Sequence, residues 1–198
     1  MESGSVPIED ALGDPPWVEQ VLDFWFREIE EQRWFHGDAS FDRQIHLRFN
    51  ALHARISTTE PGDFSSARQL LAAIVVTDQL SRNMFRGTPR AFAADPLARR
   101  LSGRVIALGL DRDMPTAERY FVYLPFEHSE NREDQALAVR LIESLGNASW
   151  TQFARMHQAS ILRFGRFPGR NQALGRVSTD EELAFLAQSQ RPMPAGAS

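Results

Sequence analysis

The chain has 198 residues and a formal net charge of −4, and its 22 basic residues are all arginine; lysine and cysteine do not occur. Without lysine, the chain cannot form a Schiff base or supply a phosphate-loop lysine, and without cysteine it has no thiol nucleophile, disulfide or thiolate metal site. The mildly acidic balance argues against a nucleic-acid partner.

Targeting signals are not evident in the sequence. The start, MESGSVPIEDALGDPP, lacks a basic stretch followed by an apolar run, so no signal peptide is predicted. No segment approaches the length of a membrane span, and we therefore expect a cytoplasmic protein with no membrane partner. Residues 1–190 are expected to form a single domain, and the tail 191–198, RPMPAGAS, is expected to be disordered.

Capping residues and apolar periodicity predict helices along the whole chain. Asp14-Pro15 and Asp95-Pro96 place an acid before a first-turn proline, Asp38 precedes an amphipathic run, and Ser178 to Glu181 has capping-box spacing. The predicted helices run from 15 to about 30, from 39 through 56, from about 65 through 85, from 95 to about 109, from 116 to 127, from 130 to 145, from 149 to 164, and from 178 to about 190.

The fold class follows from this pattern. No alternating apolar run bounded by hairpin turns occurs, so strands are not predicted. Pro125 is expected to kink or end its helix. The sequence predicts an all-α domain of about eight helices, stacked as antiparallel pairs or packed as an irregular bundle.

The third predicted helix carries charge on its apolar face. Its run 70–76 is apolar all round, which is typical of a central helix, yet Asp78 and Arg82 continue the core-facing stripe. An acid four residues before a base is a favourable helical pair. The pair has two possible roles. It is either a structural ion pair, or Asp78 orients the Arg82 guanidinium so that it binds a carboxylate or phosphate of a ligand.

His157 lies on a second apolar line, which indicates an inward-facing side chain. A histidine in such a line is most often a satisfied core residue. Here it is followed by arginines that alternate with glycines, an arrangement that favours an anion site built from guanidinium and backbone N–H donors. The residues concerned are Arg163, Arg166, Arg170 and Asn171.

Glu127 and Glu130 are a third candidate pair, with His128 between them pointing elsewhere if the helix continues past Pro125. Paired carboxylates suit acid–base work, or metal binding together with His157. Alternatively, Ser129 and Glu130 cap the next helix while Glu127 pairs with an arginine. No metal or cofactor is expected, and a mononuclear site from Asp78, Glu130 and His157 is the less favoured alternative.

Long blocks of the chain resemble one known family. They are VLDFWF at 21–26, the run 78–95, the run 123–130 and the run 157–186. The chain is similar to domain of unknown function family 924, a bacterial and fungal family. The resemblance implies a tetratricopeptide-like helical fold and no established activity. Two residues depart from the family pattern. Ser81 stands where the family often has proline, and Gly169 stands where it often has histidine. The second departure weakens metal or acid–base proposals built on the loop around Gly169.

Two functional hypotheses follow. The first is a polar pocket that binds a small anionic molecule, with Glu127 and His157 as the acid–base pair. Its ligand-binding residues would be Asp78, Arg82, Asn83, Arg86, Glu130, Arg163, Arg166, Arg170 and Asn171. The second is a peptide or protein interaction module in which the same polar blocks are structural braces, as analogy with the tetratricopeptide-like fold suggests.

Overall fold

The computed structural model describes residues 13–35 and 37–189, and this part of the chain is all-α, without a strand. His36, the first twelve residues and the tail predicted to be disordered lie outside the described residues. The α-helices are α1 (Pro16–Asp23), α2 (Ala39–Ile56), α3 (Ala67–Ile74), α4 (Ser81–Met84), α5 (Asp95–Ala107), α6 (Thr116–Glu127), α7 (Arg132–Glu143), α8 (Ala148–Phe164) and α9 (Asp180–Ser189).

Two helices continue as π-helical turns. Phe24–Glu28 extends α1, and Val75–Leu80 joins α3 to α4 into one long rod through the centre of the molecule. Every residue of Val75–Leu80 is buried, which confirms the central position predicted for this helix. The widened turn places Asp78 in the interior, where it faces residues at the end of α6.

The predicted caps are right in one case and wrong in three. Asp38 caps α2, accepting hydrogen bonds from two backbone N–H groups. Asp14 instead accepts from the Ser66 hydroxyl at 2.6 Å, and Asp95 lies inside α5 and pairs with arginine. The capping box sits one residue later than predicted, because Thr179 and Glu182 bond each other's backbone N–H.

Helices α6, α7 and α8 pack side by side along the carboxyl half of the fold. Pro125 lies inside α6, which ends two residues later at Glu127. Asn131 caps α7, so the alternative in which Ser129 and Glu130 cap this helix is wrong. The short loops that connect α6 to α7 and α7 to α8 agree with the predicted helical stacking, while the narrower tetratricopeptide-like label stays a prediction.

An aromatic cluster at the end of α1 fixes the loop that follows. The Trp34 ring contacts Phe121 edge-on at 4.9 Å, and its Nε1 donates to the Trp25 carbonyl at 2.9 Å. Phe35, the next residue, stacks over Phe121 and remains half exposed. The loop is thereby held against α6 with an aromatic side chain facing solvent. Among the described helices, none is long and apolar enough to cross a membrane.

Candidate functional site

A cleft of about 920 Å³ opens between the loop after α1, the end of α6 and the start of α8. Its walls combine acidic, imidazole and aromatic side chains, a mixture typical of small-molecule sites. The residues that line it are Glu30, Glu31, Gln32, Phe35, Tyr120, Leu124, Glu127, His128, Ser149, Trp150, Phe153 and His157.

Aromatic side chains form the apolar wall of the cleft. Tyr120 and Trp150 stack in parallel, with ring centroids 4.2 Å apart and planes inclined by 1°. Phe35 meets Tyr120 edge-on, and Phe153 is 51% exposed. The predicted apolar line on α8 therefore turns partly towards this cleft instead of wholly towards the core. Burial, with the nearby charge of Glu127, raises the pKa of Tyr120 far above its ordinary value, so its phenol stays neutral.

Glu127 and His157 form an ion pair at the base of the cleft. Glu127 is the last residue of α6 and is 2% exposed, and its Oε1 lies 2.8 Å from Nδ1 of His157 on α8. Burial alone would lower the pKa of His157, but the hydrogen bond and charge of Glu127 outweigh it and raise that pKa. The other carboxylate oxygen, Oε2, is buried without a hydrogen-bond partner among the described residues.

His128 is paired in the same way with Asp78. Its Nδ1 lies 2.9 Å from both carboxylate oxygens of Asp78. Burial lowers the pKa of His128 below its ordinary value, against the opposing charge of Asp78. Burial also acts to raise the pKa of Asp78, but the charges of Arg82 and His128 prevail and hold it well below its usual range. At neutral pH an ionised Asp78 therefore faces a neutral imidazole, and His128 carries its charge only in the acidic range where Asp78 titrates.

The hydrogen bonds assign the proton positions on both rings. In His128, Nδ1 carries the proton because it faces a carboxylate, which leaves a lone pair on Nε2. In His157, Nδ1 also faces the Phe153 carbonyl at 3.0 Å and must donate. The two ring centroids are 6.2 Å apart, so the cleft holds two imidazoles with opposite pKa shifts. Such a pair is the usual signature of a base beside an acid.

A chain of ion pairs lies behind His128. Arg82 bridges two carboxylates, Asp78 at 3.0 Å and Asp95 at 3.2 Å. The spacing on the third predicted helix had indicated the pair with Asp78. Arg170 pairs with Asp95 at 3.1 Å and donates to the His128 carbonyl at 2.9 Å. The network ties the π-helical segment Val75–Leu80, α4, α5 and the turn after α8 to the end of α6, and so sets the position of His128.

Two of the predicted ligand residues lie together on another side of the molecule. Arg86 donates to Asp42 of α2 at 2.6 Å, and Asn83 donates to the same carboxylate at 2.8 Å. Neither side chain lines the cleft. Their contacts join α4 to α2.

The remaining predicted residues form contacts around α9. Arg163 pairs with Glu181 at 2.7 Å, and Arg166 pairs with Glu182 at 2.7 Å. Asn171 also donates to Glu182 at 3.2 Å. The hydrogen bonds from Arg166 and from the Thr179 backbone lower the pKa of Glu182 to about 2.

Glu130 and Glu127 do not form the carboxylate pair that the sequence suggested, because Glu130 lies beyond the end of α6 and has different partners. It accepts from Arg176 at 2.8 Å and from the Phe167 backbone N–H at 2.8 Å. Because Asp78 binds His128 instead, the set Asp78, Glu130 and His157 does not converge. No group of three or more acidic or histidine side chains among the described residues is placed to hold a metal ion.

Of the predicted site residues, Glu127 and His157 line the cleft, and Asp78 lies directly behind His128. Each predicted arginine is ion-paired with a carboxylate, and none contributes to the described lining of the cleft. Sequence reasoning missed His128 as a lining residue and Asp95 as an ion-pair partner. Helical spacing could not predict where the His128 side chain points, because α6 ends at the preceding residue, Glu127.

Two of three comparisons with known proteins produced a match, and these matches concern the family and the fold. The model of a family described as bacterial protein of unknown function, DUF924, matches residues 21–190. A solved structure of a protein of unknown function from Agrobacterium tumefaciens is 35% identical, with a TM-score of 0.78 over 86% of this chain and 97% of that one. The search of curated proteins produced no significant match.

Proposed function

The chain belongs to the DUF924 family of bacterial proteins of unknown function, and we propose that it is an enzyme that moves protons on a small molecule bound in the cleft. His128 is the general base and His157 the general acid. The observation that carries the proposal is the pair of carboxylate-bound imidazoles, 6.2 Å apart, whose pKa values are shifted in opposite directions.

The carboxylates give each histidine its role. Asp78 fixes the tautomer of His128, so that the lone pair on Nε2 is available to take a proton. Glu127 favours the protonated form of His157, whose Nε2–H then becomes a donor. Neither Nε2 has a hydrogen-bond partner among the described residues, and both rings line the cleft. General acid–base catalysis of this kind contributes typically 10²- to 10⁴-fold, as an order of magnitude.

The charge of the cleft favours a neutral or cationic ligand with an apolar part. Glu30, Glu31 and Glu127 line it, while its described lining contains no arginine. Aromatic faces such as that of Trp150 attract cations as well as apolar groups. The small anionic ligand expected from the arginine-rich sequence fits less well, since those guanidinium groups are already matched by carboxylates.

The test is a comparison of turnover. A fractionated extract of bacterial small molecules is incubated with the wild type, with His128→Gln and with His157→Gln, and the mass spectrum is followed over time. We expect one compound class to be consumed by the wild type at least 100-fold faster than by either variant. His46→Gln is the matched control, because His46 is exposed and lies outside the cleft. Consumption at equal rates by all four proteins would refute the assignment.

The alternative is a peptide or protein interaction module. It is supported by the ion pairs that connect helices and by exposed apolar side chains of α8 such as Met156. In this alternative Glu127 serves as a brace, and Glu127→Ala lowers the free energy of unfolding by about 3 kcal/mol or more. A site residue would be removed with little loss of stability or even a gain. Chemical denaturation of that variant separates the two functions.

A further inference from the structure

A second cavity, of about 350 Å³, lies next to the cleft, nearer the C-terminal end of α8. It is formed by α8, the turn that follows it and α9, and its walls are mainly apolar side chains such as Met156, Phe167 and Leu186. Arg170 is part of the wall, but its guanidinium is bound to Asp95 and to the His128 carbonyl. The cavity therefore offers apolar surface and little free charge.

The two cavities share a boundary. Phe153 and His157 line both the acidic cleft and the second cavity, so the imidazole of His157 stands between them. Phe153 is 51% exposed and Met156 is 58% exposed, which leaves apolar surface uncovered along this part of α8. A molecule that contacts His157 from the cleft can thus extend past it along the apolar side chains of Phe153 and Met156.

We propose that the second cavity is an apolar subsite for the tail of the ligand. The ligand class is an amphipathic molecule, with a neutral or cationic head in the acidic cleft and an alkyl-like chain that passes His157. This inference rests on the proposed function, because the head must occupy the cleft. The volume of about 350 Å³ equals that of about twelve water molecules at about 30 Å³ each, which accommodates a chain of several methylene groups.

Gly169 provides a way to close the subsite. It lies in the wall, its backbone φ is not positive, and a Cβ placed there meets no atom within 4 Å. Gly169→Leu therefore adds a side chain at the wall of the cavity without a backbone clash. Gly62 has the same open surroundings and negative φ but lies outside both cavities, so Gly62→Leu is the matched control.

The experiment measures Kd by isothermal titration for n-alkylamines and n-alkanols from propyl to octyl. A methylene buried in the subsite contributes about 0.8 kcal/mol, or about fourfold in affinity. We expect wild type and Gly62→Leu to bind the longer chains about fourfold more tightly per added methylene in at least one series. In Gly169→Leu this gain should disappear for the longer members, while the shortest members bind as they do in the wild type.

Each contrary result has a separate meaning. Binding that does not depend on chain length, or an octyl probe bound equally by Gly169→Leu and the wild type, would overturn the subsite and leave the cleft proposal standing. If no member of either series binds, the ligand class proposed for the cleft fails together with the subsite. Loss of the longest probe alone from Gly169→Leu supports the inference.

Discussion

Substitution of Asp78 by asparagine tests the network that holds His128. Asp78 is completely buried, lies 3.0 Å from Arg82 and accepts from His128 at 2.9 Å. Asparagine preserves the size of the side chain but removes the charge, so Arg82 and His128 lose their common anion. Breaking a buried pair by removing one partner costs about 3–5 kcal/mol. Because Arg82 keeps Asp95 at 3.2 Å, the lower figure is expected.

A loss of about 3 kcal/mol lowers the melting temperature by roughly 6–12 °C in a domain of this size. Thermal unfolding followed by circular dichroism measures this directly. Glu143→Gln is the control, since its pair with Arg155 is exposed and should contribute less than about 1 kcal/mol. A loss below about 1 kcal/mol in Asp78→Asn would show that Asp78 is not a structural brace.

The stability difference between wild type and Asp78→Asn should depend on pH, and the direction of the change follows from the pKa of Asp78. Folding lowers the pKa of Asp78, because the charges of Arg82 and His128 outweigh the effect of burial. The contribution of Asp78 to folding stability is therefore complete at pH values above its unfolded pKa of about 3.9. It is lost as the pH falls towards the lower pKa that Asp78 has in the folded protein. The stability difference between wild type and Asp78→Asn should narrow below about pH 4. A difference that widens there would contradict the assigned charge state.

Further predictions concern the two histidines and the last helix. In an NMR titration, the pKa of His128 should lie below 6.5 and that of His157 above it; equal values would remove the basis for separate base and acid roles. Glu127→Gln should lower the pKa of His157, because the hydrogen bond and charge of Glu127 are the main effects that oppose burial, while Glu130→Gln, measured in parallel, should leave it unchanged. Thr179→Ala should reduce stability by about 1 kcal/mol through loss of the cap, with Thr179→Ser close to wild type by chemical denaturation.

Local patterns predicted the parts of the fold that depend on nearby residues. The apolar run 70–76 and the spacing of Asp78 from Arg82 both refer to contacts within one helix, and the structure contains both. The cap at Asp38 is equally local. These features follow from helical periodicity and short-range hydrogen bonds, so the sequence is sufficient for them.

Long-range partners could not be predicted in this way. Asp14 and Asp95 have the sequence context of caps, yet each side chain binds a group brought near by the fold: Ser66 for the first, Arg82 and Arg170 for the second. A charged or hydroxyl partner outcompetes the backbone N–H groups of the helix end. Without a contact map, the choice between cap and distant partner is open.

The partner of each buried carboxylate separates the pairs that can take part in the proposed chemistry from those that cannot. Glu182 is buried, and its charged partner is Arg166, a group that stays protonated at any relevant pH. Asp78 is buried as well, but it binds the imidazole of His128 in addition to Arg82. Glu127 is buried to the same extent, but its hydrogen-bonded partner is His157, and its Oε2 has no partner among the described residues. An imidazole can release its proton near neutral pH, whereas a guanidinium cannot. The proposed proton transfer to a ligand is therefore supported at the Glu127–His157 and Asp78–His128 pairs and not at the carboxylates paired only with arginine, although arginine supplies all the basic residues of the sequence.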